Sequence, residues 1–229
     1  MKRALSSVFM AGSLILAGAL PGLAHAADAP KPDAKAGEQL FLNGDMSRGV
    51  LACVTCHGEG GNSTIPMYPS LAAMPHEYIA KQLHDFKSVG DKPPVRNGAE
   101  GAPSVMAPMA GPLTEADIQN VALYLSHQKV DWDKAATATH ENTTERGQAI
   151  WRAGIADRKV PACAACHSAN GAGLPGEFPR LAGQHPSYLL DQLKLFRSGD
   201  RANDIMRDIA DRMTDQDLAA VADYAAGLR

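Results

Sequence analysis

The chain contains the same pattern twice. At a constant offset of 110, Gly37 recurs as Gly147, Phe41 as Trp151, Cys53 as Cys163, Pro69 as Pro179, Leu71 as Leu181, Tyr78 as Tyr188, Leu83 as Leu193 and Phe86 as Phe196. Further along the offset falls to 100, so that Thr114 pairs with Thr214, Asp117 with Asp217, Val121 with Val221 and Tyr124 with Tyr224. Such a repeat constrains the fold more than any local propensity, because whatever one half builds the other must build as well. The first half carries about ten extra residues, which fall between Gly90 and Val105. With Pro93-Pro94, Gly98, Gly101 and Pro103, that stretch reads as a surface loop.

Each half carries the same helical punctuation. An opening helix is predicted over Ala36–Leu42 and again over Glu145–Ala153. A middle helix starts just after Pro75 or Pro186, where proline suits the first turn. Its apolar face carries Tyr78, Leu83 and Phe86, or Tyr188, Leu193 and Phe196. The last helix opens with Thr114-x-x-Asp117 or Thr214-x-x-Asp217, a threonine-to-acid start signal. Neither half shows a convincing alternating run of strand residues. The expected fold class is therefore all-α: two tandem domains, 27–127 and 145–229, joined by a polar linker over 128–144.

All four cysteines lie in two copies of one motif, Cys53-Val54-Thr55-Cys56-His57 and Cys163-Ala164-Ala165-Cys166-His167. Cys-x-x-Cys-His is the attachment pattern of c-type haem. Two thiols three positions apart can each add to one vinyl group of the macrocycle, and the next residue then offers an imidazole nitrogen to the iron. Three other readings are weaker. A four-cysteine zinc site needs no histidine after each pair. A thioredoxin-like redox pair expects a βαβ setting that neither motif has. Disulfides suit an exported chain but leave the two histidines unexplained. The expected cofactors are two covalently bound haem c groups, on Cys53 and Cys56 and on Cys163 and Cys166, with His57 and His167 as iron ligands.

The motif supplies one axial ligand, and the second should be methionine or histidine. After His167 the second half holds only Met206 and Met213. Met213 pairs with Leu113, and Met109 with Ile209, so both read as core. Met206 pairs with Met106, which makes these two the expected ligands of the second and first iron. His76, His84 and His185 lie on or near the middle helices without histidine partners at the repeat offset. His127 and His140 lie near the linker, and His25 in the leader. All six are read as surface or loop histidines.

The N-terminus reads as an export signal over residues 1–26: Lys2 and Arg3, an apolar stretch from Val8 to Leu20, and Ala24-His25-Ala26 as a cleavage site. The apolar stretch is shorter than the roughly 20 residues that span a bilayer. Export and covalent haem support each other, since bacteria attach haem c outside the cytoplasm. About 200 residues remain after cleavage, enough for one large domain or two small ones. Aromatics make up only 5% of the chain, so a buried haem in each half would supply missing apolar volume. Net charge is roughly −4 over 27–126 and roughly −1 over 127–229, with no Lys/Arg-rich block, which excludes nucleic acid as an expected partner.

With these motifs in tandem, the chain resembles the di-haem cytochrome c4 family, fusions of two class I cytochrome c domains. The most specific pieces are Cys53–Asn62, Phe178–His185, Tyr188–Gly199 and Asn203–Arg207. The resemblance implies that Pro69 and Pro179 offer backbone carbonyls to the ligand histidines. It also implies a contact of the first and last helices through Gly37 and Phe41, and through Gly147 and Trp151, facing Tyr124 and Tyr224. The first half departs from it at Ala72-Ala73, where the second half has Ala182-Gly183-Gln184. The function implied is a periplasmic electron carrier that takes electrons from a quinol-oxidising complex or a dehydrogenase and delivers them to a haem–copper terminal oxidase. The expected protein is a monomer that meets the membrane only through its partners. A second reading is the haem-bearing subunit of a periplasmic flavin or molybdenum dehydrogenase. A third, a di-haem peroxidase, needs an open iron, which the symmetric methionines oppose.

Overall fold

A computed structural model describes residues 31–139, 141–176 and 178–229; the leader and His140 lie outside them. In the first half, α1 (Ala34–Asn43), α2 (Val54–His57), α3 (His76–Asp85), α4 (Ala107–Ala110) and α5 (Glu115–Ser126) follow one another. The second half repeats the order with α6 (Glu141–Ala153), α7 (Ala164–His167), α8 (Pro186–Ser198), α9 (Asp204–Asp211) and α10 (Asp215–Gly227). Among the described residues the only β pairing consists of isolated bridges. Two of these, Asp45 with Val50 and Ile155 with Val160, obey the repeat.

The start signals work as read. Thr114 and Asp117 form a reciprocal capping box on α5, and Thr214 and Asp217 form its counterpart on α10. The capping acid also anchors the loop after the first helix. Arg48 reaches Asp117 at 2.6 Å, and the equivalent Arg158 reaches Asp217 at 2.6 Å. Asp217 takes a second guanidinium, Arg146, also at 2.6 Å.

Each half buries its own core at matching positions. Leu40, Phe41, Val50, Ile79, Leu113, Ile118 and Val121 in the first correspond to Ile150, Trp151, Val160, Leu189, Met213, Leu218 and Val221 in the second. The first and last helices pack against each other in both halves. Glycine permits the approach: a Cβ at Gly37 would lie 2.0 Å from the Asn120 carbonyl oxygen, and one at Gly147 would lie 2.3 Å from that of Ala220. Phe41 meets Tyr124 at 5.4 Å between ring centroids, and Trp151 meets Tyr224 at 6.3 Å.

The stretch from Gly90 to Val105 is more than the surface loop expected. Its turn residues are largely exposed, but Arg96 is buried and the loop docks on the second half. Asn97 N–H donates to the Asp200 carbonyl at 2.7 Å, and Ala202 N–H to that of Val95 at 2.9 Å. The Arg96 side chain donates to Gln82, Tyr188 and Gln192 at 2.7–2.8 Å and stacks 4.4 Å above Phe86. Arg201 mirrors it with Gln192, Tyr78 and Gln82, over Phe196. The two arginines are equivalent in space, because Arg96 N–H meets the Asp85 carbonyl as Arg201 N–H meets that of Leu195. In sequence they are 105 apart, so the extra residues divide about evenly on either side of Arg96.

Candidate functional site

The short helices α2 and α7 carry the cysteine motifs. His57 N–H donates to the Cys53 carbonyl at 3.0 Å, and His167 N–H to that of Cys163 at 2.9 Å. This single turn stacks each histidine one turn beyond the first cysteine of its pair. All four cysteines are free thiols of intermediate exposure. Cys53 packs against the first core and Cys163 against the second, so the two pairs do not converge on one four-cysteine zinc site. Burial pushes the Cys53 and Cys163 thiols up to about 11.

The two imidazoles are buried and held alike. His57 Nδ1 lies 2.9 Å from the Pro69 carbonyl, and His167 Nδ1 lies 3.1 Å from that of Pro179. A carbonyl only accepts, so Nδ1 carries the proton and donates. The lone pair is then on Nε2, directed away from the proline. Burial pushes both histidines below their ordinary value, more than the proline carbonyl raises them, which favours the neutral ligand form. Tyr68 and Phe178, each one residue before its proline, meet the rings edge-on at 6.3 and 5.9 Å. Two free thiols one turn from a neutral, oriented imidazole are the donor set that covalent haem requires, and the residues present fit it in both halves.

The methionine register is visible in burial. Ala110 and Ala210 are fully buried, and Leu113 and Met213 are buried core residues, so the offset of 100 holds through this segment. Met106 and Met206 are both half-buried. Met206 N–H is capped by the Asn203 side chain at the start of α9, and Met106 N–H by Ser104 just before α4. The eight-residue α9 thus shrinks to the four-residue α4 in the first half, where Pro108 stands in its first turn.

The histidines divide differently from the reading above. His84 and His127 are exposed or half-exposed, and His84 pairs with Glu115 at 3.1 Å. His185 is buried, because its Nε2 meets the Ser63 carbonyl across the halves at 3.1 Å. His76 is partly buried on the Gln119 carbonyl at 3.2 Å. Sequence reasoning also missed a buried polar seam. Gln184 accepts from Ser70 N–H and donates to the Ser70 carbonyl, both at 2.9 Å, and Arg180 donates to the Ala72 carbonyl at 2.9 Å. The only available signal was that Arg180 and Gln184 break the repeat, standing where the first half has Ser70 and Met74.

Comparison with known proteins agrees with this geometry. The cytochrome c family model matches twice, over residues 34–129 and 144–228. Cytochrome c4 of Stutzerimonas stutzeri is 37% identical over 222 residues, covering 94% of this chain and 97% of its own. A thiosulfate dehydrogenase electron acceptor of Stutzerimonas stutzeri (strain A1501) is 33% identical, covering 91% of this chain and 94% of its own. The crystal structure of reduced recombinant cytochrome c4 from Pseudomonas stutzeri superposes with a TM-score of 0.71 at 33% identity, over 86% of this chain and all of that one. A helical repeat with two Cys-x-x-Cys-His turns, and likeness over nearly the whole length, place this chain in the cytochrome c4 family of di-haem, electron-transferring cytochromes c.

Proposed function

We propose that the protein is a periplasmic electron carrier with no substrate of its own, in which His57 and Met106 hold one iron and His167 and Met206 the other. When bound, haem c supplies a reversible one-electron couple between ferrous and ferric iron. The chain's part is to hold both axial donors, exclude water and set the potential. The observation that carries the reading is the duplicated His–Pro contact, 2.9 and 3.1 Å, which fixes each imidazole with Nε2 as donor. Met106 and Met206, in the same register, would supply the second donor to each iron. With both donors in place, neither iron would offer a place for peroxide or a small anion.

The leader 1–26 supports export to the periplasm, and the chain divides into domains 27–127 and 145–229 around the linker 128–144. Among the described residues no helix is long and apolar enough to cross a membrane. Electrons would arrive from a quinol-oxidising complex or a dehydrogenase and leave to a haem–copper terminal oxidase, through brief contacts of a monomer. The likeness to a thiosulfate dehydrogenase electron acceptor favours a second reading, a haem-bearing partner of a periplasmic dehydrogenase. Rapid mixing separates the two. Reduced protein oxidised in milliseconds by a terminal oxidase, with no oxidoreductase subunit co-purifying at matching amounts, supports the free carrier. Stoichiometric co-purification with a dehydrogenase supports the other.

A further inference from the structure

Arg180 is buried, and its Nε is the one buried side-chain nitrogen or oxygen among the described residues without a hydrogen-bond partner. Its other two nitrogens donate to the carbonyls of Ala182 and Ala72. These acceptors are repeat equivalents, each three residues beyond the proline whose carbonyl holds the axial histidine of its half. One guanidinium therefore bridges the same point in both halves. The repeat would place a second side chain here from residue 70, but that residue is a buried serine whose backbone N–H and carbonyl are both taken by Gln184. There is one seat and one occupant. Arg180 donates to neutral carbonyls, and the cation of Arg229 acts on it electrostatically. Burial, with Arg229 adding repulsion, pushes the group down to about 10, which leaves it charged at neutral pH.

We infer that Arg180 is a positioning residue shared by the two iron sites, a single buried cation that raises the reduction potential of both. This deepens the electron-carrier reading and rests on it. Ferric iron carries one positive charge more than ferrous iron, and each site exchanges one electron. A nearby cation without an anionic partner among the described residues disfavours the oxidised form. Because the guanidinium bonds equivalent carbonyls of both halves, the effect falls on both sites. At an effective dielectric constant of about 20, a unit charge acting across a protein interior can change such an equilibrium by about tenfold.

The test is an anaerobic redox titration of the haem-loaded, full-length mature protein, with haem-methyl proton resonances used to separate the two sites. Arg180→Met and Arg180→Gln should each shift the ferric-to-ferrous ratio of both sites about tenfold toward ferric at a fixed applied potential, equivalent to about 59 mV per site. Arg180→Lys, which keeps the charge, should stay within about threefold of the parent. Using two neutral variants guards against one that fails to fold, and haem content with the far-red sulfur-to-iron band shows that each sample is intact. Unchanged potentials in the neutral variants would overturn the inference. So would an equal fall with lysine, which would show geometry rather than charge, or a shift at one site only. If the parent itself shows no reversible one-electron couples, the electron-carrier reading fails instead.

Discussion

Placing a methyl group at Gly37 tests the helix crossing on which each half is built. A Cβ there would lie 2.0 Å from the Asn120 carbonyl oxygen and 3.0 Å from Tyr124 Cβ. At Gly147 the nearest distances are 2.3 Å to the Ala220 oxygen and 2.6 Å to Tyr224 Cβ. Real Cβ atoms do not come within 3.0 Å of such neighbours, and the obstacles are backbone oxygens that cannot swing aside. The helices must therefore part by about 1 Å at Gly37 and somewhat less at Gly147, a gap that forfeits about a quarter to a half of each contact across the seam. Four side chains in that seam, Leu40, Phe41, Val121 and Tyr124, are buried. At about 2 kcal/mol of burial each, the loss is about 2–4 kcal/mol. Alanine returns about 1 kcal/mol of helix propensity, leaving a net cost of about 1–3 kcal/mol and a fall in Tm of about 2–12 °C. Gly49→Ala is the contrast: its Cβ would meet nothing within 4 Å, but φ of +75° is left-handed and costs about 1 kcal/mol. Urea unfolding of the haem-loaded protein, followed by near-ultraviolet circular dichroism, should rank Gly37→Ala as most damaging, Gly147→Ala next and Gly49→Ala least. A Gly37→Ala variant within about 0.5 kcal/mol of the parent would refute the close approach.

The denatured mature chain should retain the mass of two haems, and Cys163→Ser with Cys166→Ser should remove one; a mass showing zinc or bare protein contradicts the site. Met106→Ala and Met206→Ala should each remove about half of the far-red sulfur-to-iron band, while Met213→Ala should leave the band and cost about 2–5 kcal/mol as a core cavity. Loss of the band on Met109→Ala would break the offset-100 register. Ferrous protein should bind carbon monoxide and react with peroxide only slowly, and rapid binding would reveal an open iron. Burial pushes the Asp217 carboxyl up, but hydrogen bonds from Thr214, Arg146 and Arg158 outweigh it and hold the group well below its ordinary 3.8. Its contribution to stability is thus complete above about pH 4 and fades as pH falls through the lowered value. Asp217→Asn should flatten the acid limb of a stability–pH curve, and an unchanged limb would show that another group controls it.

Much of this architecture was legible because the chain states it twice. The helices α5 and α10 announced themselves through Thr-x-x-Asp, and the capping box is a local contact that needs no tertiary partner. The donor set was legible because thiol and imidazole are placed by one helical turn. Less was legible wherever one half reaches into the other. His185 resembles any histidine before a helix until Ser63, 122 residues away, presents its carbonyl. The loop at Gly90–Val105 has the composition of solvent-exposed chain, and only Arg96 betrays its docking. No feature of its neighbourhood marks that arginine, since the extra residues displace it from both repeat offsets.

The same displaced arginines explain how a duplicated chain holds as one unit. Each stacks on the phenylalanine of its own half and donates to the tyrosine of the other, so the contact cannot open without breaking these cross-half hydrogen bonds. Gln82 Oε1 accepts from both arginines, as does Gln192 Oε1. Two like charges are thereby held together by shared neutral acceptors, an arrangement that rewards one geometry and tolerates little sliding. An apolar seam would be non-directional and would permit neighbouring registers. A carrier with two irons has a use for that difference. Electron exchange between sites depends steeply on their separation, and His57 and His167 are fixed to their prolines within each half. What remains to be fixed is one half against the other, and the crossed arginines, Gln184 on Ser70 and Arg180 on Ala72 do so with directional bonds at 2.7–3.0 Å.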